Sequence, residues 1–274
     1  MIDLHTHSRV SDGILSPAEL VALAASRGVK LLALTDHDTL DGLGSAREAA
    51  TGTDLKLVNG VEISVTWERK GLHVVGLDVD VNHPALTAGL ARLQEVRERR
   101  AREIGQRLEK AGIAGAYAGA EALAQGARLT RTHFARFLHQ AGHVKEEAQA
   151  YKKWLGRGKP AHMSVTWASL EEAIGWIHAA GGQAVLAHPF RYGITRAWLL
   201  KVLTAFKQAG GDAMEVVSGR GNPDEFHTAL HLAGRFQLAA SVGSDFHAPA
   251  PYSQPGVTVE LPASVPTVWE RFRS

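Results

Sequence analysis

MIDLHTHSRVSDGILSPAELVALAASRGVKLLALTDHD, residues 1–38, decides how the whole chain is read. A short β-like run from Ile2 to His5 is followed by a loop and then by a helix with a marked start and stop. Ser16 stands at the N-cap position, Pro17 at the first helical position and Glu19 where a capping box needs it, and Gly28 follows the last turn. A second β-like run, Leu31 to Thr35, comes next. Strand, helix and strand in that order predict a parallel β/α unit. Each strand also delivers histidine to its end. His5 and His7 are two residues apart, a spacing that turns both rings to one side of a strand, and His37 lies just past Thr35.

The same grammar continues outward. Further β-like runs lie at Lys56 to Ile63, Leu72 to Asp80, Gln183 to Ala187, Ala213 to Val217, Leu238 to Ser244 and Val257 to Glu260. Ser169 with Glu172, followed by Gly181-Gly182, repeats the start and stop of the first helix. Seven or eight strands alternating with helices predict a β/α barrel rather than an open sheet. The segment from Pro84 to His162 breaks the alternation. It is rich in Ala, Arg and Glu and carries helical spacing at Leu90, Leu93, Val96, Ile104 and Leu108. The expected organisation is therefore a barrel built from residues 1–83 and 163–274, with 84–162 inserted as a helical cap over the substrate. No tandem repeat or low-complexity linker appears, although Ala114 to Ala127 is rich in Ala and Gly. The tail from Pro262 is expected to close with a short helix containing Trp269 and Phe272.

Composition narrows the chemistry. The chain has 274 residues, 45% hydrophobic and 21% charged, enough for an ordinary core without staples. It contains no cysteine, so disulfides, thiolate metal sites and a cysteine nucleophile are excluded, and any metal must be held by nitrogen and oxygen. Net charge is only +2 despite 30 Lys and Arg, which argues against a general pull on long nucleic acid or on membranes. Met1 to His5 shows no basic region leading into an apolar one, and no run of about 18 apolar residues occurs. A cytoplasmic protein without membrane partners is the expectation.

Histidines and carboxylates recur where barrel strands end, the face on which such folds place active sites. Beyond His5, His7 and His37 these are Glu62, His188, Asp245 and His247, with Asp12 in the first loop and His73 opening the fourth strand. A lone histidine beside a proline, as at His188-Pro189, is more often a loop or core residue than a ligand. Taken as a set the positions argue otherwise, because six of the fourteen histidines fall at strand ends beside acidic partners. Burying so many titratable groups without a metal would be costly. One metal takes roughly four to six donors, so this many imply two or three ions.

His5-Thr6-His7, Ser11-Asp12-Gly13, Thr35-Asp36-His37-Asp38, Gly60-Val61-Glu62, Ala187-His188-Pro189 and Gly243-Ser244-Asp245-Phe246-His247 follow one another in the order of a complete motif series. That series resembles the PHP (polymerase and histidinol phosphatase) family over nearly the whole chain. The resemblance implies a distorted (β/α)7 barrel of the amidohydrolase type with a helical insertion. Carried over position by position, it assigns His5, His7, Glu62 and Asp245 to one metal, Glu62, His73 and His188 to a second, and Asp12, His37 and His247 to a third. Glu62, Asp245 and His247 are the ligands on which catalysis is expected to depend most directly. By resemblance Mn²⁺ is the expected ion, with Fe²⁺ or Zn²⁺ as substitutes; the mixture of carboxylates and imidazoles does not favour Mg²⁺. Clustered cations lower the pKa of a bridging water and neutralise phosphate oxygens, which suits phosphoester hydrolysis by an attacking hydroxide. Asp36 or Asp38 could orient His37 through its other ring nitrogen.

Substrate choice is expected from basic residues outside the ligand set: Arg131 and His133 in Arg-Thr-His-Phe-Ala-Arg, Lys159, and Arg191 just after His188-Pro189. Arg136 fits a surface role better. The insertion and its Arg-Thr-His-Phe-Ala-Arg stretch resemble the bacterial branch of 3′,5′-nucleoside bisphosphate phosphatases and 5′ to 3′ exoribonucleases acting on short RNA. The expected reaction is removal of the 3′-phosphate from a 3′,5′-bisphosphonucleotide such as pAp, with the basic residues holding the 5′-phosphate. The alternatives are the short-RNA exonuclease, a histidinol-phosphate phosphatase, for whose amine no further acidic cluster is visible, and a non-catalytic module, against which the complete ligand series counts.

Overall fold

Residues 1–219, 222–251 and 253–273 are described by a computed structural model. The alternation read from the sequence produces strands β1 (Ile2–Asp3), β2 (Leu31–Leu34), β3 (Lys56–Trp67), β4 (Lys70–Leu77), β5 (Gln183–Leu186), β6 (Ala213–Ser218) and β7 (Ala239–Gly243). They lie side by side in chain order in one seven-stranded sheet. Its two edges approach each other: Leu4 N–H donates to the Val242 carbonyl at 2.9 Å, and Thr6 bridges Phe246 in parallel. The result is a nearly closed, distorted α/β barrel.

Helices α1 (Pro17–Ser26) and α2 (Leu43–Ala50) flank the first strands. The capping box at the head of α1 forms as expected, with Ser16 Oγ accepting from Glu19 N–H and Glu19 accepting from Ser16 N–H. An extended helix, α3 (Pro84–Lys110), leads into α4 (Ala116–Ala124), α5 (Arg131–Gln140) and α6 (Glu147–Ala150), the last running into a π-helical turn, Tyr151–Leu155. The barrel resumes with α7 (Leu170–Ala179), capped by Ser169 and Glu172, then α8 (Arg196–Gln208) and α9 (Pro223–Phe236). A single 3₁₀ turn, Val268–Arg271, ends the described chain where a short helix was expected.

One expectation fails at β4, which runs antiparallel to both neighbours. A two-residue hairpin joins it to β3 in place of a helix. Glu68 and Arg69 take φ of +48° and +62°, the pair of left-handed residues that matches strand twist in a tight hairpin. Asn-Gly is the usual sequence for such a turn, and Glu-Arg gives no comparable signal. β3 consequently extends past Ile63 to Trp67. Val257–Glu260 forms no strand and contributes only one antiparallel bridge, from Val257 to Ile2, because β1 offers just two residues to pair with.

The barrel interior is filled by small apolar residues such as Ala33, Val58, Val75, Val185, Ala213 and Ala239, with Val268, Trp269 and Phe272 packed against them. A larger apolar layer lies between sheet and helices. The inserted helices bury a core of their own around Ile104, Leu108, Phe134 and Leu138. α3 serves both layers: Leu86, Leu90 and Leu93 pack on the barrel, while Ala101, Ile104 and Leu108 pack on the cap. Gly89 makes the first contact possible, since a Cβ there would lie 2.4 Å from the Trp176 ring of α7. Among the described residues no helix is long and apolar enough to cross a membrane.

Candidate metal centre

Backbone pairing continues past the strand ends and fixes the loops that carry the cluster. Asp245 N–H donates to the His5 carbonyl at 2.9 Å, His7 N–H to Phe246 at 2.8 Å, and Asp38 N–H to Glu62 at 2.9 Å. Gly243 is required beside them, because a Cβ at that position would fall 2.3 Å from the Cβ of His5. Because β4 is reversed, His73 near its start sits at the same barrel mouth as the ends of the parallel strands. His188 and Asp245 adopt φ of +27° and +53°, conformations that cost energy in residues other than glycine and that cluster at functional sites.

All nine ligand positions read from the sequence converge. His5 Nε2 lies 3.3 Å from Glu62 Oε1 and 3.7 Å from Asp245 Oδ1, and His7 Nε2 lies 3.4 Å from Glu62 Oε2 and 3.5 Å from Asp245 Oδ1. On the other side of Glu62, His73 Nδ1 is 2.8 Å and His188 Nε2 2.9 Å from Oε1. Asp12 gathers the rest, with His247 Nε2 at 3.2 Å, His37 Nε2 at 3.8 Å and His7 Nδ1 at 3.9 Å. His7 thus faces two groups through its two nitrogens. His37 does the same, its Nδ1 lying 2.8 Å from Glu62 Oε2.

The donor set fits divalent cations. Asp12 Oδ1, His37 Nδ1 and Glu62 Oε2 are buried with no hydrogen-bond partner among the described residues. Leaving such atoms unpaired costs about 1–3 kcal/mol each. His37 Nδ1 and Glu62 Oε2 lie 2.8 Å apart yet are not aligned as donor and acceptor. Their combination of nitrogen and carboxylate oxygen suits first-row divalent ions.

Electrostatics agree for the carboxylates. Burial opposes ionisation of Glu62, yet the imidazoles of His73, His37 and His5 hold its carboxyl well below the usual range. Asp12 is likewise held well below it, burial being outweighed by His247 and His37, and Asp245 is lowered against burial by His7, His5 and His247. Burial and the neighbouring His247 push His7 down to about 3, so its ring is neutral at neutral pH and offers the lone pair of one nitrogen. His247 rises to about 10, burial being overcome by Asp12 and Asp245, so without an ion its ring carries a proton that it must release to act as a ligand.

Supporting contacts differ from expectation. Neither Asp36 nor Asp38 orients His37. Asp36 accepts from Ser8 N–H at 2.8 Å and from the hydroxyls of Ser8 and Ser11 at 2.6 Å, and Asp38 binds Arg97 Nε at 2.6 Å and Ser64 N–H at 2.7 Å. Both His37 nitrogens already face carboxylates. The outer carboxylate that the sequence reading missed is Glu215 on β6. Its Oε1 lies 2.5 Å from His5 Nδ1, and its Oε2 accepts from His188 N–H at 2.6 Å. Held this way, His5 presents Nε2 to the cluster. One acidic residue in the apolar run Ala213 to Val217 was the available signal.

The residues expected to bind substrate separate into different places. Arg131, at the start of α5, lines a narrow recess with Arg97, Arg100 and Thr130. Among the described residues neither Arg100 nor Arg131 has a carboxylate within ion-pair distance, and the buried Arg100 Nε has no hydrogen-bond partner. Burial, then Arg131 and Arg97, lower the Arg100 guanidinium to about 9. Arg97 and Arg100 escaped notice because the surrounding run Glu98-Arg99-Arg100-Ala101-Arg102 reads as a solvated helix face. His133 is buried, and its Nδ1 accepts from Thr130 N–H at 3.1 Å, completing the cap of α5. Lys159 is exposed and lines neither that recess nor the cavity beside His188. Arg191 lines that second cavity, its Nη2 donating to the Ser218 carbonyl at 2.8 Å. Arg136 is structural, donating to the Asp12 carbonyl at 2.6 Å, while Thr132 Oγ1 donates to Asp12 Oδ2 at 3.0 Å.

Comparison with known proteins places this geometry in context. Residues 3–159 match the family model described as PHP domain. A Haemophilus influenzae 5′-3′ exoribonuclease is 48% identical over 270 residues, covering 98% of both chains. A 3′,5′-nucleoside bisphosphate phosphatase from Chromobacterium violaceum is 47% identical over 276 residues, covering 100% of this chain and 96% of the relative. Among solved structures, an amidohydrolase from Chromobacterium violaceum with bound sulfate superposes with a TM-score of 0.93 at 47% identity, covering 98% of this chain and 94% of that one.

Proposed function

The chain belongs to the PHP domain family and is a metal-dependent phosphoric ester hydrolase, and from that premise we propose that it removes the 3′-phosphate from 3′,5′-bisphosphonucleotides such as pAp, releasing the 5′-mononucleotide and phosphate. The observation that carries this reading is the cluster of arginines in the cap around a recess of about 10 Å³, which must widen to admit a phosphate. A phosphoester substrate with one phosphate needs only the cluster; a second, non-reacting phosphate needs cations of its own. Arg100 and Arg131, free of carboxylate partners among the described residues, have that character, and the guanidinium fork suits a phosphate monoester. Thr132 and Arg136 tie the same helix to Asp12, so a 5′-phosphate held at the head of α5 would be set at a fixed distance from the ligand cluster.

Three groups of donors would hold the ions: His5, His7, Glu62 and Asp245; Glu62, His73 and His188; and Asp12, His37 and His247. Mn²⁺ is the proposed ion, with Fe²⁺ or Zn²⁺ able to replace it. When bound, such ions supply a nucleophilic water at neutral pH and neutralise phosphate charge. The chain's own contribution is positional. Glu215 fixes the face that His5 turns inward, Arg97 holds Asp38 beneath the Glu62 segment, and the arginines of the recess bind the phosphate that does not react.

The second reading, cleavage of short 5′-phosphorylated RNA, uses the same recess for the same 5′-phosphate and is favoured by the 48% identity to the Haemophilus influenzae protein. Steady-state kinetics with Mn²⁺ on pAp and on a 5′-phosphorylated dinucleotide decide between them. The proposal expects efficient turnover of pAp, and a KM for it raised at least about tenfold in Arg100→Met and Arg131→Ala. Negligible turnover of pAp beside rapid cleavage of the dinucleotide would overturn it.

A further inference from the structure

A cavity of about 280 Å³ lies between the end of β6, the start of α9 and residues 258–259. His188 and Glu215 belong to its wall as well as to the metal centre and its support. It therefore borders the cluster on the β5–β6 side. The arginine recess lies on the β3 side of the barrel, where Arg97 donates to Ser64. In a nearly closed barrel of seven strands in chain order, β3 and β6 stand across the mouth from each other.

The two places differ in chemistry. The recess is cationic. The cavity is mostly apolar in surface, walled by Phe190, Val216, Phe226 and Val259, with Arg191, Ser218, Asn222, Glu225 and Thr258 among its polar residues. Arg191 is engaged with the Ser218 carbonyl, and Glu225 lies in the same wall, so the described residues form no second phosphate clamp. Pockets for drug-sized molecules begin at about 300 Å³; this one suits a single planar heteroaromatic ring. Aromatic side chains with a few polar groups are how proteins hold a nucleobase without strong sequence preference.

We infer that this cavity seats the base of a second nucleotide, joined through its 5′-oxygen to the phosphoryl group under attack. The inference rests on the phosphoesterase reading above and extends it from a mononucleotide to a dinucleotide. With the 5′-phosphate of the first nucleotide in the recess, the bond between O3′ and phosphorus breaks, as it would in pAp. The water oxygen forms a new bond to phosphorus, O3′ takes the proton, and the second nucleotide departs with the phosphoryl group on its 5′-oxygen. In pAp that position holds only an oxygen, and the cavity stays out of use. One cleavage geometry then serves both substrates, and the cavity contributes only to the longer one.

The test compares kcat/KM for a 5′-phosphorylated dinucleotide, its counterpart with an abasic second residue, its counterpart with an abasic first residue, and pAp. Wild type is measured against Phe226→Ala, which removes a wall, and against Thr258→Trp, which fills the cavity from an exposed position. The inference expects the missing second base to cost wild type on the order of tenfold, within the range of one base–aromatic stack. Both variants should lose that difference while pAp turnover, the check on folding, stays within about twofold. It is overturned if wild type is indifferent to the second base, if the variants abolish discrimination of the first base instead, or if the variants still discriminate the second base as wild type does. Failure of the phosphatase reading has a different signature, a wild type inert on pAp, and the dinucleotide arms still decide the inference in that event.

Discussion

Glu62 lies within 2.8 to 3.4 Å of five imidazoles, those of His5, His7, His37, His73 and His188. No other side chain of the cluster is shared so widely, and its charge is what lets so many nitrogen donors face one point. Glu62→Gln keeps the volume and removes the charge. Phosphoester hydrolysis should fall at least about a thousandfold in this variant, whereas Arg191→Ala should cost less than about tenfold; initial rates at saturating Mn²⁺ check both. Glu215 acts one step further out. Glu215→Gln weakens the hold on His5 Nδ1 without removing a ligand, so apparent Mn²⁺ affinity should drop by about 10–100-fold. A titration of activity against free Mn²⁺ reads this out, and unchanged affinity would remove Glu215 from its positioning role.

At the scale of elements, α5 joins cap and centre. Thr130-Arg131-Thr132-His133 is a capping box in which a histidine takes the place that Glu or Gln usually fills. Burial pushes His133 down to about 4 from 6.5, with Asp12 opposing and Arg136 assisting. The folded state therefore favours the neutral ring. The stability this confers is complete above about pH 6.5 and is lost as pH falls through 4, by up to about 3 kcal/mol at full protonation. His133→Gln keeps an acceptor for Thr130 N–H and cannot titrate. Between pH 6.5 and 4 it should lose less stability than wild type in denaturant melts; parallel pH dependences would show that His133 carries none of the acid sensitivity.

Elements whose ends are marked by local chemistry were legible in the sequence. Ser16-Pro17 with Glu19, and Ser169 with Glu172, cap the helices they announced. The β3–β4 hairpin was not legible, because Glu68-Arg69 takes a left-handed turn that its residue types do not favour and that the surrounding pairing imposes. Reversal of β4 follows from that turn, and it explains how His73 reaches the mouth from the start of its strand.

Across the whole molecule, the nine positions that converge lie in compact motifs and could be picked out by reading, while their supports could not. Glu215 meets His5 across 210 residues of chain, and Arg97, Arg100 and Arg131 meet only once the cap has folded around Thr130. Such partnerships arise from tertiary packing and leave no local pattern. Lys159 and Arg191 carried the right charge, yet one is exposed in a turn and the other occupied by a backbone carbonyl. The nine candidate ligands, from His5 to His247, come together in one centre whose carboxylates are held ionised and whose potential donor atoms are partly unpaired. Elemental analysis of protein purified without any chelator tests that centre most directly. The account predicts two or three tightly bound divalent ions per chain, falling in Glu62→Gln; fewer than two ions per chain would contradict it.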